Sequence, residues 1–221
     1  MTRLTASLCF ILMVTVLVPP RVCAQSPDDD LKIYAVSVHN LAPYRRPFSG
    51  YGVYLGQGRI ITAAHVVGRW SLLFEDPKIV IAGQELAAKV IKRGSFEQTD
   101  LALLTIDETT LPLSLRLRRN PLCKEAPKVG MDVIVVYPDR TTRSPVISSR
   151  AIPTDYRAKF GTLIADVQGS GSGAFDANKK CLLGIMSASV RIQSNREQNR
   201  HAGYFVPASR IADFIPPEFR F

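Results

Sequence analysis

Short apolar segments separated by turn residues make up most of the chain beyond residue 30. Glycine, proline, aspartate and asparagine stand at the breaks, and the segments are rich in valine, isoleucine and leucine, a pattern typical of β-strands joined by turns. This spacing predicts an all-β barrel or sandwich rather than alternating strands and helices. The predicted strands are residues 32–38, 52–55, 59–62, 78–82, 85–91 and 101–106 in a first half, and 132–137, 146–152, 161–167, 181–190 and 204–206 in a second.

A connector and one terminal helix complete the predicted elements. Residues 109–119 contain a proline and no convincing periodicity, so they are expected to join the two halves. Ser209 is predicted to cap a short helix over residues 210–214, which Pro216 stops. The expected organisation is one unit with an N-terminal half over residues 31–112 and a C-terminal half over residues 113–221.

The first 24 residues have the pattern of a signal peptide. Arg3 is followed by an apolar run over residues 4–18, and small residues precede a cleavage point after Ala24. About 15 apolar residues are too few to span a bilayer comfortably. We therefore expect a secreted or periplasmic protein with no stable membrane anchor after cleavage, beginning with a flexible polar leader over residues 25–30.

The chain is basic, with 28 lysines and arginines against 19 acidic residues and a formal charge of +9. Removing Arg3 and Arg21 with the signal peptide lowers this charge to +7. A nucleic-acid-binding surface requires clustered basic residues interleaved with aromatic residues. The basic residues of this chain are scattered and are not interleaved with aromatic residues. A solvated basic surface is therefore expected, without a nucleic-acid partner.

Four cysteines are present, and Cys9 and Cys23 leave with the signal peptide. Cys123 and Cys181 remain, and in an oxidising compartment such a pair predicts a disulfide. His39 and His201 lie in polar surroundings and make no metal-ligand spacing with these distant cysteines. We therefore expect neither a metal nor a cofactor.

Two strings place a histidine and an aspartate beside apolar strands. His65 lies just after a predicted strand, in the string Thr62-Ala63-Ala64-His65-Val66-Val67. Asp100 lies at the start of another predicted strand, in the string Thr99-Asp100-Leu101. A carboxylate entering an apolar strand is costly unless it is hydrogen-bonded, and a histidine Nδ1–H is one partner that holds it.

The third string, Gly169-Ser170-Gly171-Ser172-Gly173, surrounds two serines with glycine. Glycines let the backbone approach a substrate carbonyl and turn its N–H groups inward. Downstream, residues 181–185 (CLLGI) form a predicted strand, and residues 203–208 (GYFVPA) form a last strand that ends at a proline.

Taken in order, these four motifs resemble those of trypsin-like serine peptidases, and they cover most of residues 48–214. The chain is most similar in pattern to bacterial exported glutamyl endopeptidases and to protease domains of the Deg type, without an appended PDZ module. The resemblance implies two antiparallel six-stranded β-barrels of the chymotrypsin type with a short C-terminal helix. It implies a serine endopeptidase that acts on protein or peptide substrates through a Ser-His-Asp triad.

The family pattern assigns the catalytic roles to His65, Asp100 and one serine. Aligning residues 170–176 with the family pattern Ser-Gly-Ser-Pro-aliphatic-Phe-Asp/Asn makes Ser170 the nucleophile, with Ser172 as the alternative. The oxyanion hole is then formed by the backbone N–H groups of Gln168 and Ser170. Gln168 stands where the family has glycine.

The resemblance also implies a substrate pocket and a place for the disulfide. The pocket is expected near Ile164 and around Met186 and Ser187, with a preference for apolar or small side chains. The segments that carry Cys123 and Cys181 are neighbours in the second barrel of the family. An alternative function is a catalytically weak or inactive binding protein on a peptidase scaffold, because Gln168 departs from the family pattern.

Overall fold

The computed structural model describes residues 27–40, 48–68, 76–148, 150, 162–165, 167–192 and 200–220. The predicted signal peptide and its cleavage site lie outside these residues. Of the predicted leader, residues 27–30 are described: residues 27 and 28 form a turn, and residues 29 and 30 begin a 3₁₀ helix over Asp29–Tyr34.

The first half forms an antiparallel sheet of seven strands. The strands are β1 (Ala35–Asn40), β2 (Phe48–Gly56), β3 (Arg59–Thr62), β4 (Lys78–Ile81), β5 (Gln84–Ala87), β6 (Lys89–Arg93) and β7 (Ala102–Thr105). They lie in the order β5-β4-β1-β2-β3-β7-β6. The two edge strands are consecutive in sequence with only Ala88 between them, so the sheet curls back toward itself.

The second half forms a closed antiparallel barrel of six strands. The strands are β8 (Asp132–Val136), β9 (Thr141–Ile147), β10 (Thr162–Ala165), β11 (Gly173–Asp176), β12 (Leu182–Ile192) and β13 (Arg200–Pro207). They close in the order β10-β13-β12-β11-β8-β9. The all-β prediction of two antiparallel units is confirmed. The strand count differs in the first unit, where the predicted strand over residues 85–91 is divided at buried Ala88 into β5 and β6.

Short helices connect and finish the two units. A 3₁₀ helix over Glu108–Thr110 and α1 (Leu113–Arg116) lie in the predicted connector. The chain ends with α2 (Ala208–Phe214) and a 3₁₀ helix over Pro217–Phe219. The terminal helix is confirmed, but its N-cap is Pro207 and no side chain caps it, so the capping role predicted for Ser209 is wrong. No helix in the described part of the chain has the length and apolar character needed to cross a membrane.

One buried cluster joins the two units. It includes Val53 and Leu103 of the first sheet, Phe175 and Ile185 of the barrel, and Phe214 of α2. The loops that follow β3 and precede β7 and β11, together with α2, are therefore held by a shared core. The predicted disulfide between Cys123 and Cys181 is present, with their Cα atoms 5.1 Å apart.

Candidate active site

His65 and Asp100 form the centre of the candidate site. His65 lies in the turn after β3, and Asp100 lies two residues before β7, the strand that pairs with β3. His65 Nδ1 lies 3.0 Å and 2.9 Å from the two carboxylate oxygens of Asp100. The backbone N–H of His65 also donates to Asp100 Oδ1 at 3.1 Å. Antiparallel pairing of the two strands thus brings together residues that are 35 positions apart.

Asp100 is almost completely buried, whereas the imidazole of His65 is 24% exposed. The φ angle of Asp100 is +44°, in the left-handed region that aspartate tolerates better than most residues. A charge this deeply buried requires several hydrogen bonds. His65 supplies donors from its ring and its backbone, and the Ser187 hydroxyl donates to Asp100 Oδ2.

Ser187 reaches Asp100 because β12 is irregular at this point. The register with β13 shifts between Met186 and Ala188, so Ser187 lies in a bulge. A bulge bends the strand and redirects a side chain. The sequence analysis placed Ser187 in the substrate pocket, but its hydroxyl is turned to Asp100. No local sequence signal indicates a bulge here, because it depends on pairing between two strands.

Ser170 is connected to the same group of residues. Its hydroxyl donates to the carbonyl oxygen of Ser187 at 3.1 Å. Its own carbonyl oxygen accepts a hydrogen bond from the backbone N–H of Tyr51 in β2 at 2.9 Å. Ser170 is partly exposed and therefore accessible to a substrate.

Ser172 lies in a different environment. It is completely buried, and its hydroxyl donates to the carbonyl oxygen of Gly169 at 2.6 Å. Its backbone carbonyl oxygen accepts from the N–H of Met186 at 2.9 Å. A buried hydroxyl that closes a tight turn is poorly placed to attack an external substrate.

The shape of the serine loop requires its glycines. Gly171 has a φ of +86°, and a Cβ atom there would come within 1.8 Å of the carbonyl oxygen of Tyr51. Gly169 has a φ of +141°, and a Cβ atom would lie 2.5 Å from the ring of Tyr137. The Tyr137 hydroxyl donates to the carbonyl oxygen of Gln168, and burial raises the pKa of this phenol. Tyr137, which the sequence analysis did not single out, thus packs under the loop.

The proposed oxyanion donors lie at the start of this loop. Gln168 is exposed and directly precedes the glycine-rich segment, but it does not adopt a positive φ. Among the described residues, the N–H groups of Gln168 and Ser170 make no backbone hydrogen bond. Their assignment to an oxyanion hole stays a prediction.

The remaining predicted pocket residues lie inside the barrel. Ile164 in β10 and Met186 in β12 are buried and belong to one apolar cluster. Both lie beside Gly203 of β13: Ile164 pairs with it across the sheet, and a Cβ atom on Gly203 would come within 2.2 Å of Met186 Cε. Their role in substrate binding stays a prediction.

Phe96 is a neighbour of His65 that the sequence analysis missed. Their rings meet edge to face, with centroids 5.8 Å apart and an angle of 87°. Phe96 is 36% exposed, so it borders the open side of the imidazole. An isolated phenylalanine in a polar loop carries no sequence signal for this position.

The described residues contain one group of three side chains with the spacing of metal ligands, namely Cys123, Asp176 and Cys181. The two sulfur atoms are bonded to each other in the disulfide. Asp176 Oδ1 accepts from the backbone N–H groups of Asn178 and Lys179 at 2.8 and 3.0 Å. These residues therefore stabilise the β11–β12 hairpin.

Comparison with solved structures identifies the fold. The chain is similar to the active form of the Rv3671c protease from M. tuberculosis, with 19% identity, a TM-score of 0.61, and coverage of 94% of this chain and 92% of that one. It is similar to a serine endoprotease from Yersinia pestis, with 20% identity, a TM-score of 0.57, and coverage of 84% and 62%. Kallikrein-related peptidase 10 in complex with Zn²⁺ matches with 18% identity, a TM-score of 0.61, and coverage of 86% and 96%.

The fold is therefore that of the trypsin-like serine proteases. At identities this low the likeness concerns the fold. No protein-family model matches the chain, and no curated protein sequence matches it either.

Proposed function

We propose that this chain is an exported serine endopeptidase that uses Ser170, His65 and Asp100. The observation that carries the proposal is the pairing of His65 Nδ1 with buried Asp100 at 2.9 and 3.0 Å. A proton held on Nδ1 leaves Nε2 as an acceptor, which is the tautomer that a general base needs. Ser187 links this pair to Ser170, since its hydroxyl bonds Asp100 and its carbonyl oxygen bonds the Ser170 hydroxyl.

The proposed reaction follows from these positions. The Ser170 side chain rotates from the Ser187 carbonyl oxygen toward His65 and attacks the scissile carbonyl, while Nε2 of His65 takes its proton. The N–H groups of Gln168 and Ser170 stabilise the negative oxygen that develops. His65 then protonates the leaving amine, and water hydrolyses the ester on Ser170. Asp100 keeps the imidazole oriented and stabilises its cationic form.

The proposed substrates are proteins or peptides with an apolar or small side chain in the primary pocket. The apolar character of Ile164 and Met186 supports this preference. An oxidising location, secreted or periplasmic, is supported by the Cys123–Cys181 disulfide. The predicted signal peptide points to the same location.

A fluorophosphonate probe, which modifies activated serines, tests the nucleophile. We expect the mature chain to be labelled, Ser170→Ala to lose labelling, and Ser172→Ala to keep it. His65→Ala is expected to abolish labelling as well, because the serine is then not activated. Circular dichroism of each variant verifies that it is folded.

Two results would contradict this proposal. Labelling lost only in folded Ser172→Ala would transfer the role to Ser172. A folded wild-type chain that is never labelled would favour the alternative of a binding protein on a protease fold. The bond of the Ser170 hydroxyl to the Ser187 carbonyl oxygen, rather than to His65, is the observation that keeps this alternative open.

A further inference from the structure

A basic cavity lies between strand β6 and helix α2, away from the serine loop. Its volume is about 340 Å³. Three cationic side chains and one carboxylate line it, so the formal charge of its wall is +2; these residues are Lys92, Arg93, Arg210 and Asp213. Gln98 and Thr99 add neutral hydrogen-bond donors.

Contacts with Phe214 hold the Lys92 side chain in the wall of this cavity. The Lys92 ammonium donates to the carbonyl oxygen of Phe214 at 2.8 Å and lies 4.6 Å from the centre of the Phe214 ring. This contact attaches β6 to the end of α2 and uses one of the three donors of the ammonium. Lys92 can therefore still bind an anion in the cavity.

Arg210 and Asp213 lie one turn apart on α2, and both are exposed. Within the part of the chain that the structure describes, neither makes an ion pair, although Arg210 and Asp213 line the same cavity. The guanidinium of Arg210 thus keeps its planar set of donors, which suits the oxygens of phosphate and sulfate. Asp213 opposes an anion there and weakens its binding.

We infer that this cavity binds an oxyanion, namely phosphate, sulfate or a phosphate monoester. The excess of two positive charges matches a phosphate dianion, and the lysine, arginine, amide and hydroxyl groups are all donors. The volume exceeds that of a bare phosphate, so it leaves room for the organic group of an ester.

The position of this site relates it to the residues of the proposed triad. Arg93 Nε donates to the carbonyl oxygen of Ala64, the residue before His65, at 3.2 Å. Thr99, another wall residue, precedes Asp100. A bound oxyanion therefore lies against both segments that carry the histidine–aspartate pair. The binding itself does not depend on whether the chain is a protease.

Isothermal titration of the mature chain with inorganic phosphate and with phenyl phosphate, at constant ionic strength, tests the inference. We expect Arg210→Gln to weaken binding at least about tenfold, because a charge-assisted hydrogen bond is lost. Asp213→Asn is expected to tighten binding about threefold or more, because it removes a repelling charge. Arg118→Gln, which changes an exposed arginine outside the cavity, serves as the matched control and is expected to leave binding unchanged.

The difference expected between Arg210→Gln and Arg118→Gln separates a specific site from a general basic surface, which would lose affinity equally in both variants. Equal weakening by Arg210→Gln and Arg118→Gln, unchanged or weaker binding by Asp213→Asn, or no binding at millimolar phosphate would each overturn the inference. Binding of phosphate alone identifies a free anion as the occupant, whereas tighter binding of phenyl phosphate identifies an ester. The same titration on Ser170→Ala is expected to match the wild type, which separates this site from the proposed protease activity.

Discussion

At the scale of single residues, the candidate site depends on buried polar groups whose partners come from distant parts of the chain. Asp100 is 1% exposed, and its carboxylate is satisfied by His65 and Ser187. Ser172 is buried as well, and its hydroxyl closes the loop onto Gly169. Two serines in one short glycine-rich segment thus have different environments, which supports Ser170 as the nucleophile in our proposal.

The glycine at position 171 allows a direct test of how tightly this loop is packed. Gly171 and Gly130 have similar φ angles of +86° and +83°, but a Cβ atom at 130 would have no neighbour within 4 Å. We expect Gly130→Ala to lower the free energy of unfolding by about 1–2 kcal/mol, the cost of a left-handed residue. Gly171→Ala adds a clash with the Tyr51 carbonyl oxygen and is expected to cost more than about 4 kcal/mol. Urea unfolding measures both, and equal losses would contradict the packing of this loop.

At the scale of elements, two departures from regular pairing shape the structure. The bulge in β12 turns Ser187 toward Asp100, whereas a regular strand would alternate its side chains between the two faces. The 3₁₀ helix over Asp29–Tyr34 replaces the first part of the strand predicted from residue 32. Just before this helix, buried Asp28 pairs with Arg143 of β9 at 2.6 Å and with Lys180 of the β11–β12 turn at 2.7 Å. The segment that leads into the first sheet is thereby fastened to the second barrel.

This attachment predicts a pH-dependent contribution to stability. The hydrogen bond from Arg143, followed by that from Lys180, holds the pKa of the Asp28 carboxyl below its usual value despite burial. A lowered pKa in the folded state stabilises the fold above the unfolded pKa of about 4, and this stability is lost as the pH falls through the folded value. We expect Asp28→Asn to cost about 1–3 kcal/mol at pH 7.

The cost of Asp28→Asn is expected to shrink toward pH 2, since the wild-type carboxyl is then protonated too. Urea unfolding between pH 2 and pH 7, in steps of about half a unit, measures this difference. Asp30→Asn is the matched control, because Asp30 is exposed and forms no ion pair with a described residue. A cost that is the same at every pH would contradict the role of the Asp28 charge.

At the scale of the whole molecule, two sheets with separate hydrogen-bonding networks act as one unit because they share a core. Side chains from both sheets and from α2 meet in one cluster. The chain between the sheets is also held to the barrel by two backbone hydrogen bonds of 2.9 Å. The N–H of Leu182 donates to the carbonyl oxygen of Pro121, and the N–H of Cys123 donates to the carbonyl oxygen of Leu182. The disulfide closes the same region covalently.

Removing the disulfide tests how much this closure contributes. It joins residues 58 positions apart, and a loop of this length stabilises by about 4 kcal/mol in the chain-entropy model. We expect the double variant Cys123→Ser/Cys181→Ser to lose about this amount in urea unfolding. The wild type in the presence of a reducing agent is expected to lose a similar amount. A loss below about 1 kcal/mol would contradict a structural role for this disulfide.

The sequence by itself determined the class of fold, and its resemblance to trypsin-like serine peptidases predicted that His65 and Asp100 meet. Alternating apolar strands and their turns predicted the two β units, and the strings around His65 and Asp100 placed these residues at the ends of strands that pair. The two cysteines that lie beyond the predicted signal peptide predicted their own disulfide. These features are encoded locally, because residue type and periodicity determine which face of a strand is buried.

Only the tertiary structure decided features that depend on pairing between distant segments. The first is the strand β11, whose four residues are all buried. The second is the bulge that directs Ser187 to Asp100. The third is the complete burial of Ser172 close to Ser170, which is partly exposed. Register and burial follow from which strands lie next to each other, and no single segment contains that information. The local sequence therefore specifies the strands, whereas packing between them decides which polar groups are buried and which partners they have.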